Sequence, residues 1–303
     1  MNRWWIYQRE RFPLTAYGLL AATTGVAATI NSSMLRGQYA WPAAGTVLAA
    51  SASALAFFVQ MRVADEFKDR EDDALWRPER PVPRGLVRLT ELAAIALVAA
   101  TLQVTLACAF GAPMLVPLMA TWAYFALTAV EFGAGNWLKA RPAAYLLSHL
   151  PLPSLIVFQL SSFDWLATHA EMPAGLGALL ATAFASALLL EVSRKLRAPS
   201  DEQPGVVTYT AAWGARRALT VWVSALVATL AAAGCAAGSV GAGLPFAAAA
   251  LALCAAGVTG ALHFVAAPSK ARAARLDALA RATTLLAYLG LGPAALAWAL
   301  YGQ

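Results

Sequence analysis

The sequence predicts an all-α, polytopic membrane protein, and three observations carry that prediction. Of its 303 residues, 60% are hydrophobic and 13% are charged, where soluble domains have about 45–50% and about a quarter; the mean hydropathy is +0.61. Apolar stretches of roughly 20 residues, the length that crosses a bilayer as a helix, recur from end to end. When those stretches alternate across a membrane, all but one of the 22 Lys and Arg residues fall on one side.

The chain opens on a basic, aromatic segment, MNRWWIYQRERFP, without the pattern of a cleavable signal. Trp4 and Trp5 suit a position at headgroup level. Nine spans follow, at 14–35, 41–63, 87–110, 112–131, 142–163, 174–193, 217–238, 244–266 and 280–300. Spans 1 and 7 are crowded with small residues, which let membrane helices approach closely. Spans 3 and 4 meet at Gly111, Ala112 and Pro113, with only Gly111 between them. Span 5 contains Pro151 and Pro153, which kink a helix by removing backbone donors. No linker is long enough to separate soluble domains, so residues 1–303 read as a single transmembrane domain.

Nine spans put the N-terminal arginines and the 2–3, 4–5, 6–7 and 8–9 loops on one side, with Arg36 alone opposite. The positive-inside rule makes that side cytoplasmic and the C-terminus external, as expected for an integral protein of a bacterial inner membrane. The net charge of +6 thus reflects topology, and nucleic acid is not expected as a partner. Cys108, Cys235 and Cys254 fall within spans and read as small packing residues. Asn31 reads as an interhelical hydrogen-bonding residue.

The 2–3 loop, 64–86, holds the densest acid in the chain: DEFKDREDDALWRPERPVPRG over residues 65–85. Asp65, Asp69 and Asp73 recur at i, i+4 and i+8, so on a helix they stack along one face, with Glu66 and Asp72 beside them. Like charges at that spacing repel, and a hard cation such as Mg²⁺, completed by phosphate oxygens, would relieve the conflict. The 6–7 loop, 194–216, is similar in kind, with Glu191, Arg194, Lys195 and Arg197 leading to Asp201, Glu202, Gly205 and Thr208. Trp76, inside the acidic run, is a candidate substrate contact.

The first run resembles the signature of the UbiA superfamily of intramembrane prenyltransferases, approximately N-D-x-x-D-x-x-x-D followed by R-P-x-R-P-x-P-x-G. Asp65 stands where Asn is usual and Glu66 where Asp is usual; Asp69 and Asp73 match, as do Arg77, Pro78, Arg80, Pro81, Pro83 and Gly85. The superfamily's second pattern, approximately D-x-x-x-D-x-x-x-G-x-x-T, matches at Asp201, Gly205 and Thr208, with Arg197 where the first Asp is expected and Glu191 six residues earlier. Lys139 and Arg141 lie near where a Lys-Arg pair is common.

The resemblance implies a nine-helix UbiA-type bundle with a central cavity open to lipid and Mg²⁺ as cofactor. Asp65, Glu66, Asp69, Asp73, Glu191 and Asp201 would be metal ligands, with Asp65, Asp69, Asp73 and Asp201 carrying catalysis. Arg77, Arg80, Lys139, Arg141, Lys195 and Arg197 would bind diphosphate. The expected reaction is transfer of a prenyl group from a polyprenyl diphosphate to an acceptor, with an aromatic quinone precursor leading. His149 and Tyr145 in span 5 are candidates for acceptor binding, since an ionisable group at membrane depth is a functional hypothesis. A terpene cyclase on the same scaffold and a non-catalytic isoprenoid-lipid-binding protein are the alternatives. A nucleotide-driven transporter is disfavoured by the missing phosphate loop, and a secondary transporter by the concentration of charge at one interface.

Overall fold

The computed structural model describes residues 2–302. Among the described residues every regular element is helical, because apolar backbone in a bilayer must satisfy its hydrogen bonds within the segment. A short basic helix α1 (Arg3–Arg11) meets α2 (Leu14–Leu35) at a bend of 59°. Eight further spans follow, each long and apolar enough to cross a membrane, so the count is eight, or nine with the bent first pair. The protein is therefore an integral membrane protein.

The second span is α3 (Ala44–Lys68), which begins after Pro42 and runs beyond the expected end into the acidic stretch. A break at Asp69 separates it from α4 (Arg70–Trp76). The 64–86 segment is therefore helical through Trp76 rather than a loop throughout, and only Pro78 and the prolines after it stop the helix. Then come α5 (Leu89–Phe110), α6 (Leu115–Ala129), a short α7 (Gly135–Lys139), and a fifth span in two pieces, α8 (Pro142–His149) and α9 (Pro151–Trp165). Span 5 is thus interrupted at Leu150, just before Pro151, although the Leu150 backbone stays helical.

The remaining elements are α10 (Leu176–Arg194), α11 (Tyr209–Trp213), α12 (Ala215–Gly238), α13 (Gly243–Ala266), α14 (Lys270–Leu291) and α15 (Pro293–Tyr301). The last two form the final span, which starts ten residues before the expected 280.

The centre of the bundle is α2, whose residues 27–34 are all buried. It packs against α3, α9 and α14. At Gly25 an added Cβ would lie 2.6 Å from the Ser51 backbone nitrogen, so only glycine lets α2 and α3 close to this distance. Dispersion and hydrogen bonds rather than hydrophobic transfer hold such helices together in lipid. Asn31 donates to the Leu291 carbonyl at 3.3 Å, the expected interhelical bond. Trp222 on α12 is fully buried and donates its Nε1–H to Ser193 Oγ on α10 at 2.5 Å.

Arg36, the one basic residue on the far side, is held by Asp164 through Oδ1 at 2.6 Å and Oδ2 at 3.0 Å, with the Ser32 hydroxyl on the same carboxylate. Asp164 belongs to α9 rather than to the outer loop. Cys108 and Cys235 are exposed on the outside of the bundle instead of packing within it.

Candidate functional site

Three segments on one side of the membrane converge at the ends of their helices: the α3–α4 break, the turn from Glu131 through α8, and the end of α10 with the loop to α11. Their contacts divide the acidic run into two faces with different electrostatics.

On the first face lie Asp65, Asp69 and Asp72. Asp65 is 41% exposed at its side chain, with only loose ion contacts, Arg62 at 3.6 Å and Lys68 at 3.9 Å. The Asp69 carboxyl is raised above the usual range, first by burial and then by the Asp65 charge, against the opposing pull of Lys68. Asp72 accepts from Lys139 Nζ at 3.3 Å. Burial works against the charge of Lys139, but the Asp72 carboxylate outweighs it and raises its pKa.

Lys68 Nζ donates to the Tyr145 hydroxyl at 2.5 Å and lies 4.0 Å from Glu131. Lys195 Nζ is 5.8 Å from the centre of the Tyr145 ring and 5.4 Å from that of Tyr209, within cation–π range. Lys195 and Arg194 both hold Glu191, at 2.9 and 2.5 Å. The hydroxyl of Tyr209 is pushed up, first by burial and then by Glu191. Tyr145 stacks on His149 with ring centres 4.3 Å apart. His149 Nδ1 is engaged with the Tyr145 carbonyl at 2.8 Å, and its Nε2 is buried with no partner among the described residues.

On the second face lie Glu66 and Asp73, both engaged by arginine. Glu66, 1% exposed, accepts from Arg11 Nε at 2.7 Å and lies 3.5 Å from Arg62 Nε and from the Tyr7 hydroxyl. Asp73, 3% exposed, accepts from Arg77 at 2.8 Å and Arg80 at 2.6 Å, with Arg11 at 3.6 Å. Glu66 and Asp73, expected as metal ligands with Asp73 also in catalysis, and Arg77 and Arg80, expected on diphosphate, are held in ion pairs in this structure. These groups neutralise one another in a buried ionic cluster. Position i+7 carries Asp73 to the face of Glu66, while the break at Asp69 interrupts the expected single ladder.

In the second loop, Glu202 rather than Asp201 receives the Thr208 and Thr210 hydroxyls, at 2.7 and 2.9 Å. Asp201 Oδ2 is buried without a partner among the described residues. Arg197 is exposed, and its backbone N–H donates to Thr210 Oγ1. Arg141 turns away from the site onto the Trp137 ring, 4.6 Å from its centre. Trp76 joins the two loops: Gly205, at φ +72, lies so close that an added Cβ would sit 2.3 Å from the ring.

Sequence reasoning missed Lys68, Arg194, Tyr209 and Glu202 on the first side, and Arg11, Arg62 and Tyr7 on the second. Arg62 had a readable signal, the i, i+4 spacing to Glu66; Arg11 lies 55 residues from its partner and had none.

Among the described residues no three His, Cys, Asp or Glu side chains are close enough to hold an ion by themselves. Mg²⁺, however, usually takes one or two carboxylates and completes its shell with substrate phosphate and water. Asp65 and Asp69, whose ion contacts are loose or absent among the described residues, fit that pattern.

No protein-family model matches the chain, and no curated protein matches it. Its fold is similar to a solved structure from "Structural and mechanistic insights into the biosynthesis of Digeranylgeranylglyceryl phosphate synthase in membranes". The TM-score is 0.53 over 95% of this chain and 98% of that one, at 16% identity. The chain shares the all-helical membrane fold of that structure over nearly its whole length.

Proposed function

We propose that the protein transfers a prenyl group from a polyprenyl diphosphate to an acceptor within the membrane. The observation that carries this reading is the first face: two unclamped carboxylates, Asp65 and Asp69, beside Lys68 and Lys195, which two different spans bring to a single tyrosine. Diphosphate needs this mixture, carboxylates for a divalent cation and ammonium groups for its remaining oxygens.

Asp65 and Asp69 would hold Mg²⁺ against the diphosphate, and the ion would supply charge neutralisation as the leaving group departs. Lys68 is oriented by the Tyr145 hydroxyl and Lys195 by Glu191, so both ammonium groups are placed before substrate arrives. As the C1–O bond of the allylic diphosphate breaks, the electron pair leaves with the diphosphate, whose growing charge these lysines meet. The acceptor then bonds to C1 and loses a proton.

A groove of about 440 Å³ between α9, α10 and α12, lined by Ser154, Leu180, Phe184, Ala185, Ala228 and Ala232 among others, supports the placement of the isoprenoid tail. Ala185, its lining residue nearest the site on α10, lies about 9 Å along the helix from Glu191, at 1.5 Å per residue, so the groove sits in the apolar layer below the charged rim. The buried, unpartnered His149 Nε2 favours a polar acceptor such as a hydroxylated aromatic ring. The site faces the cytoplasm in this reading, as the basic residues around it favour, with a bacterial inner membrane as the setting.

The test is to incubate membranes carrying the protein with labelled prenyl diphosphates of several lengths, with and without aromatic acceptors, with Mg²⁺ or with chelator. Pyrophosphate release that requires both acceptor and Mg²⁺ is expected. Release without acceptor would point to cyclisation, and binding without any release would overturn catalysis.

A further inference from the structure

A second cleft, of about 400 Å³, opens between α13 and α14. Chain alternation puts it on the same side of the membrane as the acidic segments. Its rim carries His263, Arg272 and Arg275; its interior is lined by Ala255, Ala256, Thr259, Gly260, Leu276 and Leu279. None of these residues contributes to the site described above.

Arg272 is fixed in place. Its Nη1 donates to the carbonyls of His263 at 2.9 Å and Ala267 at 2.5 Å, which ties it to the end of α13 and leaves Nη2 and Nε with no side-chain partner among the described residues. Arg275, one turn further on α14, is exposed and has no ion-pair partner among the described residues. The acid nearest in sequence, Asp277, is taken by Arg281. The rim is thus positive and uncompensated.

Below the rim the lining is apolar and small. The cleft runs from the arginines to Ala255, eleven residues inside the end of α13, or about 16 Å at 1.5 Å per residue. That is about half of a hydrocarbon layer roughly 30 Å thick. Only 17% of the apolar window of α13 is buried, the smallest share of any span, so this face meets lipid. A free anion would use the arginines and leave the apolar length empty. An amphiphile with an anionic head at the interface and an acyl chain beneath uses both.

We propose that this cleft binds an anionic phospholipid, with its phosphodiester between Arg272 and Arg275 and one acyl chain along Ala255, Ala256, Thr259 and Gly260. Basic pockets between membrane helices on the positively charged side recognise anionic headgroups in this way. The inference is independent of the prenyl-transfer reading, since it uses none of that site's residues.

The test titrates delipidated full-length protein in detergent with phosphatidylglycerol or phosphatidylcholine and counts retained lipids by native mass spectrometry. The expected result is one phosphatidylglycerol retained with roughly 25-fold preference, from about a fivefold contribution from each of the two arginines. Arg275→Gln, at an exposed position that folding does not depend on, should lower the preference about fivefold. Thr259→Trp, which fills the cleft without changing charge, should lower retention of phosphatidylglycerol to that of the neutral lipid. Arg217→Gln, an equal loss of charge on the same side but outside the cleft, should leave the preference unchanged. The proposal is overturned if Arg217→Gln costs as much as Arg275→Gln, if Thr259→Trp binds like wild type, or if millimolar inorganic phosphate displaces the lipid.

Discussion

Replacing Asp73 by Ala should damage stability far more than activity per folded molecule, although Asp73 belongs to the same acidic run as Asp65. Its carboxylate is 3% exposed and accepts from Arg77 at 2.8 Å and Arg80 at 2.6 Å, with Arg11 at 3.6 Å. Removing it leaves Arg77 and Arg80 without a carboxylate partner among the described residues, while Arg11 keeps Glu66. Breaking a buried ion pair by deleting one partner costs about 3–5 kcal/mol. Arg77 and Arg80 keep 21% and 24% of their side chains exposed, which lets water soften the penalty toward the lower figure of roughly 3 kcal/mol.

Asp65 makes only loose contacts at 3.6 and 3.9 Å and is 41% exposed, so Asp65→Ala should cost under about 1 kcal/mol of stability while removing Mg²⁺-dependent turnover. The assay is thermal unfolding in detergent with turnover measured on the folded fraction. The double variant Asp73→Ala/Arg80→Met should recover part of the loss, because it removes a stranded charge along with its partner. If Asp73→Ala unfolds like wild type yet abolishes turnover, the division of the acidic run into a structural and a reactive face is wrong.

Asp69→Asn should abolish Mg²⁺-dependent turnover while the protein inserts and folds normally. Its carboxyl is raised, so the folded state binds the proton more tightly than the unfolded chain. Stability should therefore rise as pH falls through that raised value, and the penalty of the charged form should be complete above it. Asn carries no such penalty: the variant should be the more stable protein at neutral pH, with the difference shrinking toward acid pH, as unfolding scans across pH would register. Lys195→Met should lower kcat by about 10²-fold, the scale of one lost donor to a developing anion, with insertion unchanged; a wild-type kcat would remove Lys195 from the site. At Gly205, Ala would force a left-handed backbone and press a methyl group into Trp76. Gly205→Ala should destabilise by about 1–3 kcal/mol and expose the 199–208 segment to limited proteolysis, whereas the same change at Gly45, where nothing lies within 4 Å of an added Cβ, should not.

The site was only partly legible in the sequence. The charged residues of the 64–86 segment could be located, because acid at i and i+4 between apolar spans has few other readings. Their division could not. Glu66 and Asp73 look like members of the same set as Asp65 and Asp69 until Arg11 is brought against them from the start of the chain. Tyr145 and Lys195 were both candidates, but nothing in their spacing shows that Lys195 and Lys68 meet at the same ring. Glu202, next to the residue that matches the motif, holds the loop through two threonines, a distinction below the resolution of any pattern.

The membrane class, the order of the spans and the side that gathers the basic residues follow from the amino-acid sequence alone. Each is a sum of local costs: apolar length against bilayer thickness, and charge against low dielectric. Which carboxylates stay free, which arginines are consumed in neutralising others, and which helix ends share a cleft were decided only by the tertiary structure. An ion pair depends on distances of a few ångströms between groups far apart in the chain, and those distances are set by how whole helices pack.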